Sequence, residues 1–123
     1  MPQRILSVGQ CVPDSATLLR FARRHFDCEV VGADSADEAL ALLAKGSFDL
    51  VLINRKLDSD YTDGIEILKA IKADPDMSAT PVMLVTNYAE HQQQAVAAGA
   101  EIGFGKLEYH KPETKERLSR FLG

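Results

Sequence analysis

The sequence predicts an α/β domain in which five parallel strands form one doubly wound sheet, flavodoxin-like, with helices on both faces. Three observations carry this. Residues 48–54, Phe-Asp-Leu-Val-Leu-Ile-Asn, are apolar apart from Asp49 and the terminal Asn54. They lack the alternation of a half-exposed strand, so they describe a strand buried on both faces, as parallel sheets require. Five strand signals alternate with helical periodicities over short connections, the pattern of repeated βα units. Finally, 123 residues leave room for one core, and residues 1–123 are read as one domain.

Taken in order, Ile5, Leu6 and Val8 make the first strand, which ends at Gly9-Gln10. Asp14 or Ser15 is expected to cap the first helix; Leu18, Leu19, Ala22 and Phe26 share one face, and Arg23 and Arg24 suit its negative pole. Glu29 to Gly32 is a brief second strand. Ser35 followed by Glu38 has capping-box spacing, Ala39, Leu40 and Leu43 mark the buried face of the second helix, and Gly46 stops it. After the third strand, Asp63 with Glu66 opens a helix through Ile65, Leu68 and Ile71. It stops before Asp74-Pro75, because a residue preceding proline avoids helical angles. Pro81 introduces a fourth strand, Val82 to Val85, which ends at Thr86. The fourth helix, from about Tyr88 to Ala98, has a thin apolar face in Ala95 and Val96, a polar stretch from Glu90 to Gln94 expected to be exposed, and a stop at Gly99. A weak fifth strand runs from Ile102 to Gly105 and ends at Lys106. The last helix begins near Pro112 and buries Leu118, Phe121 and Leu122.

Composition narrows the function. A net charge of −4 and a pI near 5.3 oppose a nucleic-acid surface, which would be basic. No apolar run approaches the ~18 residues of a membrane span, so neither nucleic acid nor membrane is an expected partner. The amino terminus enters a strand pattern directly, without a signal peptide, which points to the cytoplasm, and Cys11 and Cys28 are expected as free thiols. Asp58, Asp60 and Asp63 lack calcium-loop spacing, with Lys69 where a bidentate glutamate would stand. His25, His91, His110 and the cysteines form no metal-ligand set. There is no Gly-x-Ser-x-Gly elbow or Cys/His pairing, so an enzyme is not expected. A nucleotide or flavin module would need a phosphate-cradling loop after the first strand, where Gly9-Gln-Cys-Val-Pro13 offers a proline and no Walker pattern.

Parallel strands end on one edge of the sheet, where open α/β sheets bind ligands, so Gly9, Gln10, Asn54, Thr86 and Lys106 should converge there. Phe48 to Ile53, Asp63-Gly64 opening the third helix, Pro81 to Thr86, and Ala98-Gly-Ala100 followed six residues later by Lys106 resemble, in order and spacing, the receiver domains of two-component response regulators. The resemblance covers nearly the whole chain. It implies that Asn54 stands where the phosphate-accepting aspartate would be, and Gly9 and Gln10 where an acidic pair helps hold Mg2+. Thr86 and Lys106 are at positions that contact the phosphoryl group. Gly103 is at the switch-aromatic position, with Phe104 as a partial substitute, and Leu107 replaces a proline. The connection from Lys106 to the last helix is a few residues longer than usual.

The departures set the functional expectation. An acyl phosphate needs a carboxylate nucleophile, and an amide is not one. Mg2+ wants hard oxygen ligands, and the backbone carbonyl of Lys56 does not hold it alone, so Mg2+ binding is expected to be lost and no cofactor is expected. Lys106, with no anion opposite, is expected either to turn toward Asn54 or solvent or to serve an anion site. Restoring phosphorylation should then need acidic residues at Gly9 and Gln10 together with Asn54→Asp. The expected function is that of a receiver-like module with a degenerate phosphorylation site, acting by phosphorylation-independent binding to a protein. That partner would be a sensor histidine kinase, an output protein or a second copy of the chain, met on the fourth helix, fifth strand and fifth helix. Two alternatives stand: a conventional regulator phosphorylated by a histidine kinase at another residue such as Asp58 or Asp49, and a small nucleotide- or flavin-binding module.

Overall fold

A computed structural model describes residues 3–122. The strands are β1 (Gln3–Val8), β2 (Cys28–Ala33), β3 (Leu50–Asn54), β4 (Val82–Val85) and β5 (Glu101–Phe104), and the helices are α1 (Val12–His25), α2 (Ala36–Lys45), α3 (Gly64–Ala73), α4 (Ala89–Ala97) and α5 (Pro112–Leu122). All strand pairs are parallel, in the order β2-β1-β3-β4-β5. The chain winds outward from β1 in one direction and then, from β3, in the other. The strand order therefore reverses between β1 and β3, the crevice where open sheets of this class take ligands.

The core has two layers because successive side chains of a strand point to opposite faces. Leu6, Val8, Val51, Ile53, Val82 and Leu84 face Ala39 and Leu43 of α2, Ile67, Leu68 and Ile71 of α3, and Ala95 of α4. Ile5, Leu50, Leu52, Met83 and Val85 face Leu18, Phe21 and Ala22 of α1 and Leu118 and Leu122 of α5. Every residue of β3 is buried, as its unbroken apolar run predicts.

The helix starts follow local chemistry. Ser35 caps α2 by accepting from Glu38 N (3.1 Å), while the Glu38 carboxylate reaches back to Asp34 N (2.7 Å) rather than to Ser35 itself. Asp63 caps α3 by accepting from Ile65 N (3.0 Å), and that helix stops at Asp74, before Pro75. Neither Asp14 nor Ser15 caps α1, however. The helix begins at Val12 with Cys11 as its N-cap and no side-chain capping bond, because Pro13 is pre-set for a first turn and Asp14 lies inside it. Phe21 is buried on α1, whereas Leu19 and Phe26 are only half-buried; Val96, expected on the apolar face of α4, is exposed. The long connection after β5 is taken up by a 3-10 turn, Lys106–Glu108.

Candidate functional site

The ends of the strands form a crevice with two unlike halves. In the half between β1 and β3, Asn54 closes β3 and is buried; its Nδ2 donates to the carbonyl of Lys56 (2.7 Å) and more weakly to that of Gly9 (3.4 Å). Gly9 has φ +76°, a conformation open to glycine and costly for other residues. Its carbonyl also receives Asp58 N (3.0 Å), so the loop after β3 folds over the end of β1. Leu57 lies beneath that fold, fully buried. A Cβ on Gly9 would overlap Leu57 Cγ and come within 2.9 Å of Leu57 Cα. The space a side chain at position 9 would need is thus filled by leucine. Next to it, Gln10 Nε2 is buried without a hydrogen-bond partner among the described residues.

In the half between β4 and β5, Thr86 Oγ1 accepts from Tyr88 N (3.3 Å) and lies 3.3 Å from His91 Nδ1. Lys106 turns neither to Asn54 nor to solvent. Its Nζ is 2.6 Å from Asp14 Oδ2, which ties the loop after β5 to the first turn of α1. Burial pushes the Asp14 carboxyl up, but the hydrogen bonds from Lys106 and Cys11 and the Lys106 charge outweigh it, and the group titrates below its ordinary range. The Tyr109 phenol is pushed up by burial and then by the Asp14 charge; its ring packs against Phe21 and Phe104, with centroids at 5.1 and 5.3 Å.

Between β4 and β5 the ladder slips: Met83 pairs with Glu101 but Val85 with Phe104, so an advance of two positions along β4 is matched by three along β5. The side chain of Gln92, from α4, fills the gap. Its Nε2 donates to Leu84 O (2.9 Å) and its Oε1 accepts from Gly103 N (2.9 Å), so the amide stands where a peptide unit would complete the ladder. Arg117 Nη1 holds the Gly103 carbonyl from the other side (2.7 Å). A Cβ at Gly103 would overlap Leu84 O and press on the Gln92 amide at 3.3 Å, so this backbone excludes any side chain at position 103. Phe104, the expected substitute, is fully buried under Tyr109 and belongs to the core. Gln92 likewise departs from expectation: it is a half-buried strut, whereas its neighbours Gln93 and Gln94 are exposed. Alongside runs a groove of about 590 Å3, with Val96, Ile102 and Tyr88 among its walls.

Three further carboxylates take structural bonds. Asp49, at the amino end of β3, accepts from Arg4 N (2.8 Å); Asp60 accepts from Thr62 N (3.0 Å) and Oγ1 (2.7 Å), and Asp63 caps α3. Cys11 and Cys28 are free thiols. Sequence reasoning read Asp14 as a cap and Gln92 as exposed, and passed over Leu57 and Tyr109. Of the latter two, Leu57 carried a signal, as the single apolar aliphatic residue in the polar stretch from Arg55 to Asp63.

Comparison with known proteins agrees with this architecture. The profile of the response regulator receiver domain matches residues 11–120. Chemotaxis protein CheY-3 of Vibrio cholerae is 33% identical over 91 residues, covering 73% of this chain and 68% of the relative. Chemotaxis protein CheY of Pseudomonas aeruginosa is 29% identical over 91 residues, covering 73% and 72%. Among solved structures, a response regulator from Chloroflexus aurantiacus shares the fold with a TM-score of 0.85 at 22% identity, covering 99% of this chain and 98% of that one. With a parallel sheet in this order, a crevice at its carboxyl edge and a profile match over most of its length, the chain belongs to the response regulator receiver family, the receiving domains of two-component signalling.

Proposed function

We propose that this receiver domain signals without taking up a phosphoryl group, by docking on a protein partner such as a sensor kinase or an output protein. The observation that carries the reading is the hydrogen bonding of Asn54. An amide stands where a carboxylate nucleophile would be needed, and its nitrogen donates at 2.7 Å to the Lys56 carbonyl, the backbone oxygen a metal would use. Mg2+ does not fit the residues present. Leu57 packs against Gly9 where an acidic side chain would have to project, Gln10 is neutral, and among the described residues no three of His, Cys, Asp or Glu converge as a metal site. Without that cation, charge developing on phosphoryl oxygens would meet only Lys106, already engaged by Asp14. The groove beside α4 and β5 offers an apolar surface for a partner, with Val96 and Ile102 exposed.

Incubation with acetyl phosphate and Mg2+, followed by intact-mass measurement, tests this. The expected mass is unchanged. A hydroxylamine-labile gain of one phosphoryl group would overturn the reading and favour phosphorylation at another carboxylate.

A further inference from the structure

Of the six large apolar side chains left exposed among the described residues, Val96 and Ile102 lie beside α4 and β5, and the other four, which include the three most exposed, gather at one edge. Val12 (84% exposed) opens α1 just after β1, and Tyr61 (75%), Tyr88 (62%) and Leu107 (74%) come from the connections after β3, β4 and β5, all at the carboxyl edge of the sheet. These connections are laced together. Asp58 N donates to Gly9 O, Lys106 pairs with Asp14, and Leu107 N donates to Asn87 Oδ1 (3.2 Å). Apolar exposure collected on one rim, rather than dispersed, marks an interaction surface.

Two further observations bear on what it meets. Tyr61 is the single non-glycine residue among those described with positive φ, at 58°, held in a tight turn by its N–H to Leu57 O (2.9 Å) and by Leu57 N to Thr62 O (3.0 Å). Such a conformation is sparsely populated by side-chain-bearing residues and persists where the surroundings impose it; here it presents an aromatic ring to solvent. The charge is equally uneven. Residues 9–14, 34–38, 55–63, 86–91 and 105–111, which make up this edge, hold nine carboxylates against four Lys or Arg, a balance of −5, while the rest of the chain has nine against ten. Ser59 Oγ donates to Asp34 O (2.6 Å), which brings the acidic loops after β2 and β3 side by side.

We infer that the carboxyl edge is a docking site for a basic amphipathic segment of a protein partner, with Tyr61 as an aromatic anchor. The acidic field favours Lys and Arg on the segment and repels nucleic acid and anionic membrane, and the apolar rim takes the segment's hydrophobic face. The inference rests on the reading of the domain as a phosphorylation-independent docking module and gives that module a surface that adjoins the groove beside α4, meeting it at Tyr88.

The test uses an 18-residue Leu/Lys peptide patterned as an amphipathic helix, its Leu/Glu counterpart and a Gly/Lys peptide of equal charge, titrated into 15N-labelled protein. The Leu/Lys peptide is expected to shift the amides of Val12, Tyr61, Tyr88 and Leu107, and to bind more weakly as salt rises. The other two should bind at least ten-fold more weakly. Tyr61→Gly is expected to raise the melting temperature, because glycine accepts the left-handed backbone, while weakening the Leu/Lys peptide at least five-fold. Equal binding of wild type and Tyr61→Gly, equal binding of the Gly/Lys peptide, or shifts centred on Gln93, Val96 and Ile102 would each overturn the site. None of these results bears on phosphorylation, which is read separately by the intact mass.

Discussion

The two halves of the crevice are closed by opposite means. Between β1 and β3 the closure is steric and apolar: Leu57 fills the volume beside Gly9, and the Asn54 amide is satisfied by the loop carbonyls next to it. Between β4 and β5 it is polar and directional: a single side-chain amide, that of Gln92, spans a slip in the ladder, and Lys106 is drawn away to Asp14. A filled volume resists the addition of groups. A hydrogen-bonded strut depends on one side chain and is lost with it. The first half should therefore not be repaired by restoring charge, whereas the second should open with a single truncation.

The largest effect is expected where charge is forced into the filled half. Gly9→Asp places a Cβ at a left-handed residue, at ~1–2 kcal/mol, and overpacks Leu57, at ~1–3 kcal/mol, for a loss of about 2–5 kcal/mol in urea unfolding. The combination Gly9→Asp, Gln10→Asp, Asn54→Asp should stay destabilised, and its melting temperature should not respond to millimolar Mg2+. This revises the expectation that three acidic residues suffice, since position 9 has no room for one. A rise of several degrees with Mg2+, absent with K+ at matched ionic strength, would show that Leu57 yields and that the steric account of this half is wrong.

The strut comes next. Gln92→Ala leaves Leu84 O and Gly103 N without partners, which costs about 1–3 kcal/mol, whereas Gln93→Ala, one position along the same helix, should stay within ~0.5 kcal/mol. Hydrogen exchange at the Gly103 amide should accelerate in the first variant only. Equal stability and equal exchange in both would reduce Gln92 to an ordinary surface residue. Gly103→Tyr should be destabilising for the same reason as Gln92→Ala, because the ring cannot enter without displacing the amide.

The smallest effect belongs to the ion pair that draws Lys106 aside. Both side chains are partly exposed, so Asp14→Asn is expected to cost ~1 kcal/mol or less. Its pH dependence is the sharper readout. The Asp14 carboxyl is held below its ordinary value in the folded protein, so its contribution is complete above about pH 4, the unfolded range, and disappears as pH falls through the lower folded value. The melting-temperature gap between wild type and Asp14→Asn should therefore be constant near neutrality and close below pH 4. A gap that persists undiminished at pH 2.5 would mean that the pair is not what holds Lys106.

What the sequence determined by itself is the fold and the place of the crevice. Strand and helix periodicities, the caps at Ser35 and Asp63, and the breaks at Gly46, Pro75 and Gly99 are local signals, because backbone hydrogen bonding and burial repeat over a few residues. Parallel winding then brings Gly9, Gln10, Asn54, Thr86 and Lys106 to one edge whatever their side chains do. The tertiary structure alone decided how that edge is closed. Leu57 enters the space of a residue 48 positions before it, Gln92 enters a ladder between two strands it does not belong to, and Lys106 finds a carboxylate 92 residues away. Such partnerships follow from volume and hydrogen-bond satisfaction in three dimensions and leave no period in the chain. At the start of α1 the two levels meet: Asp14 reads locally as a cap, but Pro13, pre-set for a first turn, places it inside the helix, and there its carboxylate meets a lysine 92 residues away that no local signal announces.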